Sequence, residues 1–416
     1  MIQRVKGTQD FLDMTLFNFL IDSVKQHLKF YHFNEIKTPI LEPLELFKRS
    51  LGLETDVITK EMYTVNSSIG EDAICLRPEA TVSTLRAFLE HSIQSTPWKV
   101  FSYGPMFRHE RPQKGRYREF NQCNIEIIGS DSIAQDAQFI KMLERFFAQV
   151  LHLDTYGLLI NFLGCPEDRA QFKKILYEFL NTKQEQICAL CTERKEKNIL
   201  RIFDCKNPTC QALYRTAPHI ADHVCPTCND EWTTLKHTLE VLSVSYSYAP
   251  TLVRGLDYYD KTVFEFVSMD LGAQNAFCSG GRYNHLASQL GSKHEYPSIG
   301  AAMGIERILL MLESIKDKLP LQKTFHLHAL LPLTKEQHTL ALLIADELQA
   351  QDVAVDILLE GDSLKSMMRK ADKLHARYVI MLGPDEQRDQ KVRVKDMETG
   401  TEETLFQRDI VSFFKR

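Results

Sequence analysis

The sequence predicts two folded parts of different class: an α+β domain across residues 1–320, interrupted by a small insertion over 170–240, and a separate α/β domain across 325–416. Three observations predict this. YGPMFRHE (103–110) and EFNQCNIEIIG (119–129) read as the two strands of a hairpin, the second alternating apolar with polar residues. Residues 183–237 change character and hold six of the ten cysteines among many charges. Beyond a polar stretch at 316–325, KDKLPLQKTF, short apolar runs alternate with helical patterns, the order of a partly parallel sheet.

Leu16, Phe19, Leu20, Val24 and Leu28 recur at helical spacing and predict an amphipathic helix over 14–33. ICLRPEATVSTLRAFLEH (74–91) predicts a strand, a turn at Arg77–Pro78 and a helix with proline in its first turn. In the hairpin, Cys123, Ile125 and Ile127 make one apolar face, while Phe120, Gln122, Asn124 and Glu126 point the other way. Arg108 and Glu110 share a face of the first strand. A polar sheet face most often meets water, so the pattern alone leaves solvent and a binding cavity both open. LVRGLDYYDKTVFEF (252–266) resumes a strand pattern, CSGGRYNHL (278–286) predicts a glycine turn, and SIGAAMGIERILLML (298–312) an apolar helix. In the C-terminal domain HLHALLPL, VAVDILLE and RYVIMLG predict strands separated by two helices, before a final hairpin and helix.

Hydrophobic residues are 44% and charged residues 25%, the balance of an ordinary globular protein. Formal net charge is −5 and the pI about 6.3, so any polyanion must be met by local clusters. The densest is FRHERPQKGRYREF (107–120), with Arg108, Arg111, Lys114, Arg116 and Arg118. Read alone it is a solvated loop. MIQRVKGTQDFLDM has no secretory pattern, and no apolar run approaches the roughly 20 residues of a membrane span. A cytoplasmic protein with no membrane partner is expected, its cysteines reduced or metal-bound. Cys188-x2-Cys191, Cys205-x4-Cys210 and Cys225-x2-Cys228 have the spacing of a structural zinc site. Six candidates exceed the four ligands of one ion. The CxxC pairs, Cys188, Cys191, Cys225 and Cys228, are the expected ligands, with Cys205 and Cys210 as alternatives and six packed thiols as the bland reading. Cys75, Cys123, Cys165 and Cys278 read as ordinary buried cysteines.

FRHERPQKGRYREF together with GAAMGIERILL resembles the second and third signature motifs of class II aminoacyl-tRNA synthetases. LVRGLDYYDKTVFEF with SGGRYNHL resembles the segment special to the histidyl-tRNA synthetases. RVKGTQDF and FNEIKTPILEPLELFKRS are similar to that family's opening and its dimer-forming first motif. The likeness spans essentially the whole chain. An arginine-rich loop or a GxERxL helix alone is a weak signal; their order, with RGLDYY between them, is specific. LRPEAT carries Ala80 where the family commonly has glycine, and NQCNIEIIG keeps Gln122 and Glu126 in altered wording.

The resemblance implies a class II catalytic domain on a mixed, mainly antiparallel sheet flanked by helices. It also implies an insertion that clamps the tRNA acceptor arm, a C-terminal anticodon-binding domain, and a homodimer. The implied ligase activates L-histidine with ATP to histidyl-adenylate, then transfers it to the 3′ end of tRNA(His). Arg108 matches the arginine on the α-phosphate, and Arg307 the one on the γ-phosphate. Arg254 matches the arginine that reaches carboxylate and α-phosphate together, in place of a metal. Arginine suits these tasks because its planar fork binds phosphate and carboxylate bidentately. The bland readings are a helix ion pair of Arg307 with Glu306, and a solvated Arg254 before a turn glycine. Resemblance places Glu79, Thr81 and Gln122 around the histidine ammonium with Ala80 beside them, Glu126 and Tyr259 at the imidazole, and Tyr258 and Tyr283 in the pocket wall. Glu79 as a helix first-turn acid and the tyrosines as core packing are the plain alternatives. Glu110, Arg116 and Phe120 match residues that hold adenine and phosphates, with Mg2+ expected on the β- and γ-phosphates. Gln113, Lys114 and Arg118 fall in the part that meets the tRNA acceptor end. The rivals are a regulatory, non-acylating relative, a synthetase for another amino acid, and a tRNA-binding module without chemistry.

Overall fold

Alternation along Glu119–Ile128 organises the larger part of the chain, because it gives one strand two different faces. In the computed structural model, which describes residues 2–52, 55, 57–65, 73–272, 275–321, 326–360 and 363–415, this strand lies inside an eight-stranded sheet. The order is Asn34–Glu35, Trp98–Phe107, Glu119–Ile128, Ser298–Gly304, Ala276–Arg282, Asp260–Val267, Gly157–Phe162 and Ser247–Tyr248. The outermost pair at each end is parallel and every inner pair antiparallel, so the sheet is mixed and mainly antiparallel. Cys123, Ile125 and Ile127 are buried on one face. Farther along the sheet, on Asp260–Val267, Phe264 meets Phe139, from the helix Ile133–Arg145, and Phe266 meets Phe147. Such rings contribute large apolar area and edge-to-face contacts.

The opposite face is largely withdrawn from water, with Phe120 and Gln122 half-buried. Glu126 is fully buried and Asn124 nearly so, which removes the solvent reading of the polar face. Two other expectations change. The strand Trp98–Phe107 ends before Arg108, so Arg108 and Glu110 lie in the connection beyond it. Pro78 also lies outside the helix Thr81–Glu90, whose N-cap is Ala80.

The glycines of CSGGRY and SIGAAMG lie in strands rather than in a turn or a helix start. Ala276–Arg282 and Ser298–Gly304 pair with Gly280 opposite Ala301, and Gly300 opposite Glu126. A Cβ on Gly280 would strike the Gly300 carbonyl, and one on Gly300 would strike the Glu126 carboxylate. Close approach, not a bend, is what requires glycine here. Arg282, at the strand end, is buried with Asp136: its Nε donates to Asp136 Oδ2 at 2.8 Å and its Nη2 lies 2.6 Å from Oδ1. The same guanidinium donates to the Ser130 and Ser132 carbonyls, each at 2.8 Å.

The cysteine-rich stretch folds as helices, including Pro166–Asn181, Ala189–Lys197, Pro208–Tyr214 and Pro226–Val241. Phe172, Leu176, Leu180 and Ile202 share one buried cluster with Phe47, Leu51 and Val82. It therefore packs into the first unit, which extends to Pro320. Lys316–Lys318 forms a 3-10 turn, and residues 322–325 of the polar stretch lie outside the described residues.

The second unit, from Leu321, is built on a five-stranded sheet ordered Val355–Ile357, His328–Pro332, Tyr378–Leu382, Lys391–Asp396 and Glu402–Phe406. The first three strands are parallel, and the last two add antiparallel. Leu330, Ile380 and Leu382 pack with the helix His338–Gln349. Ala329, Leu331, Val379 and Met381 pack with Leu364–Lys373. Alternate residues thus bury both faces, as parallel strands require. Among the described residues no helix is long and apolar enough to cross a membrane.

Candidate active site

The buried polar face opens into a cavity of about 400 Å³ in the first unit. Glu79, Thr81, Gln122, Tyr258 and Tyr259 line it together with Arg108, Glu110, Arg116, Phe120, Arg254 and Arg307. Elements far apart in sequence converge here because the antiparallel sheet brings their ends together.

Glu79 sits at the start of the helix Thr81–Glu90, and both of its oxygens serve that terminus. Oε2 accepts from the Thr81 N–H and Oε1 from the Val82 N–H, each at 2.9 Å. The capping role is therefore present, yet the side chain is buried and borders the cavity. The Tyr258 hydroxyl donates to it at 3.4 Å. Burial pushes the Glu79 carboxyl above its ordinary range, and the two backbone N–H groups pull back toward the charged form. Gln122 Oε1 is buried with no hydrogen-bond partner, which suits an atom reserved for a ligand.

Glu126 and Tyr283 lie behind this wall and do not border the cavity. Thr81 Oγ1 donates to Glu126 Oε1 at 2.7 Å, and the Tyr283 hydroxyl to Oε2 at 2.6 Å. Burial raises the Glu126 carboxyl to about 8. Both of its oxygens are engaged, so in this conformation it supports the pocket from beneath. Ala80 is fully buried and also stands outside the lining.

Four arginines line the same cavity. Arg108 donates through Nε to the Pro78 carbonyl at 2.9 Å and stacks 5.4 Å over the Phe120 ring. Arg116 pairs with Glu110. Arg254 pairs with Glu265 and lies 5.3 Å over Tyr259, so it is neither solvated nor a turn cap. Burial opposes its charge, but Glu265 and the two tyrosines outweigh that and leave its pKa raised. Arg307 donates to the Gly115 carbonyl at 2.9 Å and to the Ala276 carbonyl. Glu306, its partner in the bland reading, instead accepts from the Asn121 N–H at 2.8 Å and Nδ2 at 2.9 Å. Burial, then the neighbouring Arg116 and Arg108, lower the Arg307 pKa. Like charges held this close in a half-buried space are poised for a polyanion.

Among the loop residues expected to meet tRNA, Gln113 and Lys114 are exposed at a tight turn closed by reciprocal Gln113–Arg116 backbone bonds. Arg118 is held inward, its Nε donating to the Glu110 carbonyl at 3.2 Å and its backbone N–H to Gly7. Sequence reasoning missed Glu265 and named Glu306 only as an ion-pair partner of Arg307. Glu265 was visible as an acid between Phe264 and Phe266 in an apolar strand; nothing local marked Glu306 as the clamp on Asn121.

Residues 20–308 match the family described as histidyl-tRNA synthetase, and residues 328–416 an anticodon binding domain. The chain belongs to the histidyl-tRNA synthetases. It is 40% identical over 408 residues to a histidine–tRNA ligase of Syntrophotalea carbinolica, covering 97% of this chain and 96% of that one. A histidine–tRNA ligase of Geobacter sulfurreducens is 40% identical over 406 residues, with 97% and 96% covered. The crystal structure of the apo S. aureus histidyl-tRNA synthetase aligns over 100% of both chains with a TM-score of 0.81 at 30% identity. The mixed sheet and the separate C-terminal α/β unit are thus a class II histidyl-tRNA synthetase fold.

In this synthetase the cysteines are arranged otherwise than their spacing suggested. Cys188 and Cys191 gather with Cys205 and Cys210, whereas Cys225 and Cys228 gather with Cys165 and Asp168. The two CxxC pairs therefore do not form one four-cysteine set. Each opens a different helix, Ala189–Lys197 or Pro226–Val241, and meets nearer partners there. Cys165, read as an ordinary cysteine, belongs to one of these groups.

Proposed function

We propose that this cavity activates L-histidine with ATP and passes it to the 3′ end of tRNA(His), the work of a histidine–tRNA ligase. In the first step a histidine carboxylate oxygen attacks the α-phosphorus of ATP; the bond to the β-phosphate oxygen breaks and pyrophosphate leaves. In the second a hydroxyl of the tRNA's terminal ribose attacks the carbonyl carbon, and AMP departs. Both steps gather negative charge on phosphate oxygens, where fixed cations act most strongly in a water-poor site. The observation that carries this reading is the meeting of two kinds of side chain in one cavity: the acid, amide and hydroxyl groups of Glu79, Gln122, Tyr258 and Tyr259 with the guanidinium groups of Arg108, Arg116, Arg254 and Arg307.

Glu79 and Gln122 take the ammonium, and Tyr259 an imidazole nitrogen, each supplying the polar partner that an apolar amino acid would leave unpaired. Arg254, braced by Glu265, bridges the carboxylate and the α-phosphate. Arg108 takes the α-phosphate, Arg307 the γ-phosphate, Arg116 and Glu110 the nucleotide, with Phe120 as the stacking surface for adenine. ATP would come as its magnesium complex; Glu265 and Glu306, which both line the cavity, would offer their remaining carboxylate oxygens to Mg2+, whose charge would offset that of the β- and γ-phosphates. Gln113 and Lys114 meet the acceptor end of tRNA, and the C-terminal unit its anticodon. We place the enzyme in the cytoplasm and, by analogy of its first motif, as a homodimer.

ATP–pyrophosphate exchange, measured with each amino acid separately, tests this. Exchange that depends on histidine alone is expected. Histidine binding without exchange would move the chain to the regulatory class, and exchange with another amino acid would overturn the pocket assignment.

A further inference from the structure

The cysteines of the insertion form two separate constellations, each with four ligand atoms within 4.8 Å of one another. We propose that the chain holds two structural zinc ions: one in a site of four thiolates, Cys188, Cys191, Cys205 and Cys210, and a second held by Cys165, Cys225, Cys228 and the Asp168 carboxylate.

In the first group three of the four cysteines are buried, and Cys188 is partly so. The Cys188 and Cys205 sulfurs lie 3.8 Å apart. Metal–sulfur bonds of about 2.3 Å put the sulfurs of a tetrahedral site about 3.8 Å apart. A disulfide needs a sulfur separation of about 2.05 Å, so these two are not bonded. Backbone donors already aim at the sulfurs: the Cys188 N–H at Cys210 Sγ, 3.3 Å, and the Asn207 N–H at Cys205 Sγ, 3.4 Å. Such N–H groups hold metal-bound thiolates in place. The site ties the helix Ala189–Lys197 to the turn Ile199–Asp204 and the helix Pro208–Tyr214.

The second group is written twice in the sequence, as Cys165-Pro-Glu-Asp168 and Cys225-Pro-Thr-Cys228. Each cysteine is the N-cap of a 16-residue helix with proline in its first turn, and each fourth residue sits in that turn. The two helix starts face one another. Asp168 Oδ1 accepts from the Cys225 N–H at 2.8 Å and Oδ2 from the Cys165 N–H at 3.2 Å. Each carboxylate oxygen has a second lone pair for a metal. Asp168 thus stands where the repeat of the motif would put a fourth cysteine. This site joins the first and last helices of the insertion, and the other fastens what lies between them.

Packed thiols are the competing account, since free cysteine behaves as a small hydrophobe and Cys191, Cys205 and Cys210 do join an apolar cluster. Apolar packing explains burial. It does not explain why eight ligand-type side chains sort into two sets of four, each with converging donor atoms.

The test is zinc content of the full-length chain, purified reduced and without chelator. Two zinc ions per chain are expected, with Cys210→Ser and Cys228→Ser each removing one and Asp168→Cys keeping both. Because a serine variant can fail to fold, the wild-type chain is also stripped and titrated with Co2+. Thiolate-to-cobalt absorption should saturate at two equivalents, with distinct visible bands for the four-sulfur and three-sulfur-one-oxygen sites. Saturation at one equivalent, or loss of all metal in Cys210→Ser alone, would overturn the second site. A folded chain with no bound zinc and no cobalt spectrum would overturn both.

Discussion

Arg254 shows how much one residue can depend on context that sequence conceals. Its position before Gly255 was legible, but its partner was not: Glu265 reaches it from the next strand, a contact set by sheet geometry. Replacing Arg254 with alanine removes a cation from the cavity lining and leaves Glu265 without its partner. Histidine-dependent exchange is expected to fall by about a hundredfold or more, as with other fixed groups that stabilise developing charge. A urea midpoint close to the parent's would separate that loss from misfolding, and near-normal exchange would exclude the role. Glu126 makes a different prediction. Its folded carboxyl titrates at about 8 against an ordinary 4.5, so between those values the native chain keeps a proton that the unfolded chain has released. This group therefore makes stability fall as pH rises from 4.5 to 8, at up to about 1.4 kcal/mol per pH unit. Glu126→Gln, which resembles the neutral acid, should flatten that part of the slope when urea unfolding is followed across pH. An unchanged slope would show that Glu126 is charged in the folded protein.

At the scale of elements, strands with clean alternation were readable and glycine-rich ones were not. Glu119–Ile128 announced its two faces through Cys123, Ile125 and Ile127. CSGGRY and SIGAAMG look like turn and helix because glycine has no pattern of its own. Their real constraint is the approach of Gly280 to the Gly300 carbonyl and of Gly300 to the Glu126 carboxylate. The Arg282–Asp136 pair was equally hidden, since a buried ion pair between a strand end and a helix first turn leaves no periodic trace. It joins the end of the strand Ala276–Arg282 to Ile133–Arg145, one residue before Tyr283 in the chain. Asp136→Ala would leave Arg282 charged and uncompensated in the core, at a cost of about 3–5 kcal/mol. Chemical denaturation checks the value, and a loss under about 1 kcal/mol would mean that the Ser130 and Ser132 carbonyls suffice to hold the guanidinium.

The division of the whole molecule into two units follows from how apolar residues are distributed. The second unit buries both faces of its parallel strands with its own helices, and among the described residues its cores draw on those from Ala329 onward. Its period of short apolar runs and amphipathic helices made it the most legible part of the chain. The insertion was the least, because its helices complete a core with Phe47, Leu51 and Val82 that local sequence does not advertise. Every residue assigned to adenylate chemistry, the last being Arg307, lies before the second unit begins. A chain ending at Pro320 should therefore keep histidine-dependent pyrophosphate exchange within a few-fold of the full chain. Charging of tRNA(His) should fall by at least on the order of tenfold, the effect of losing about 1.4 kcal/mol of binding at the anticodon. The comparison also distinguishes the two units' contributions by salt. Whatever charging the short chain retains should depend less steeply on ionic strength, because fewer phosphate contacts remain to release counterions. Equal charging by the two chains would remove the C-terminal unit from tRNA recognition, and loss of exchange would show that activation requires both units together.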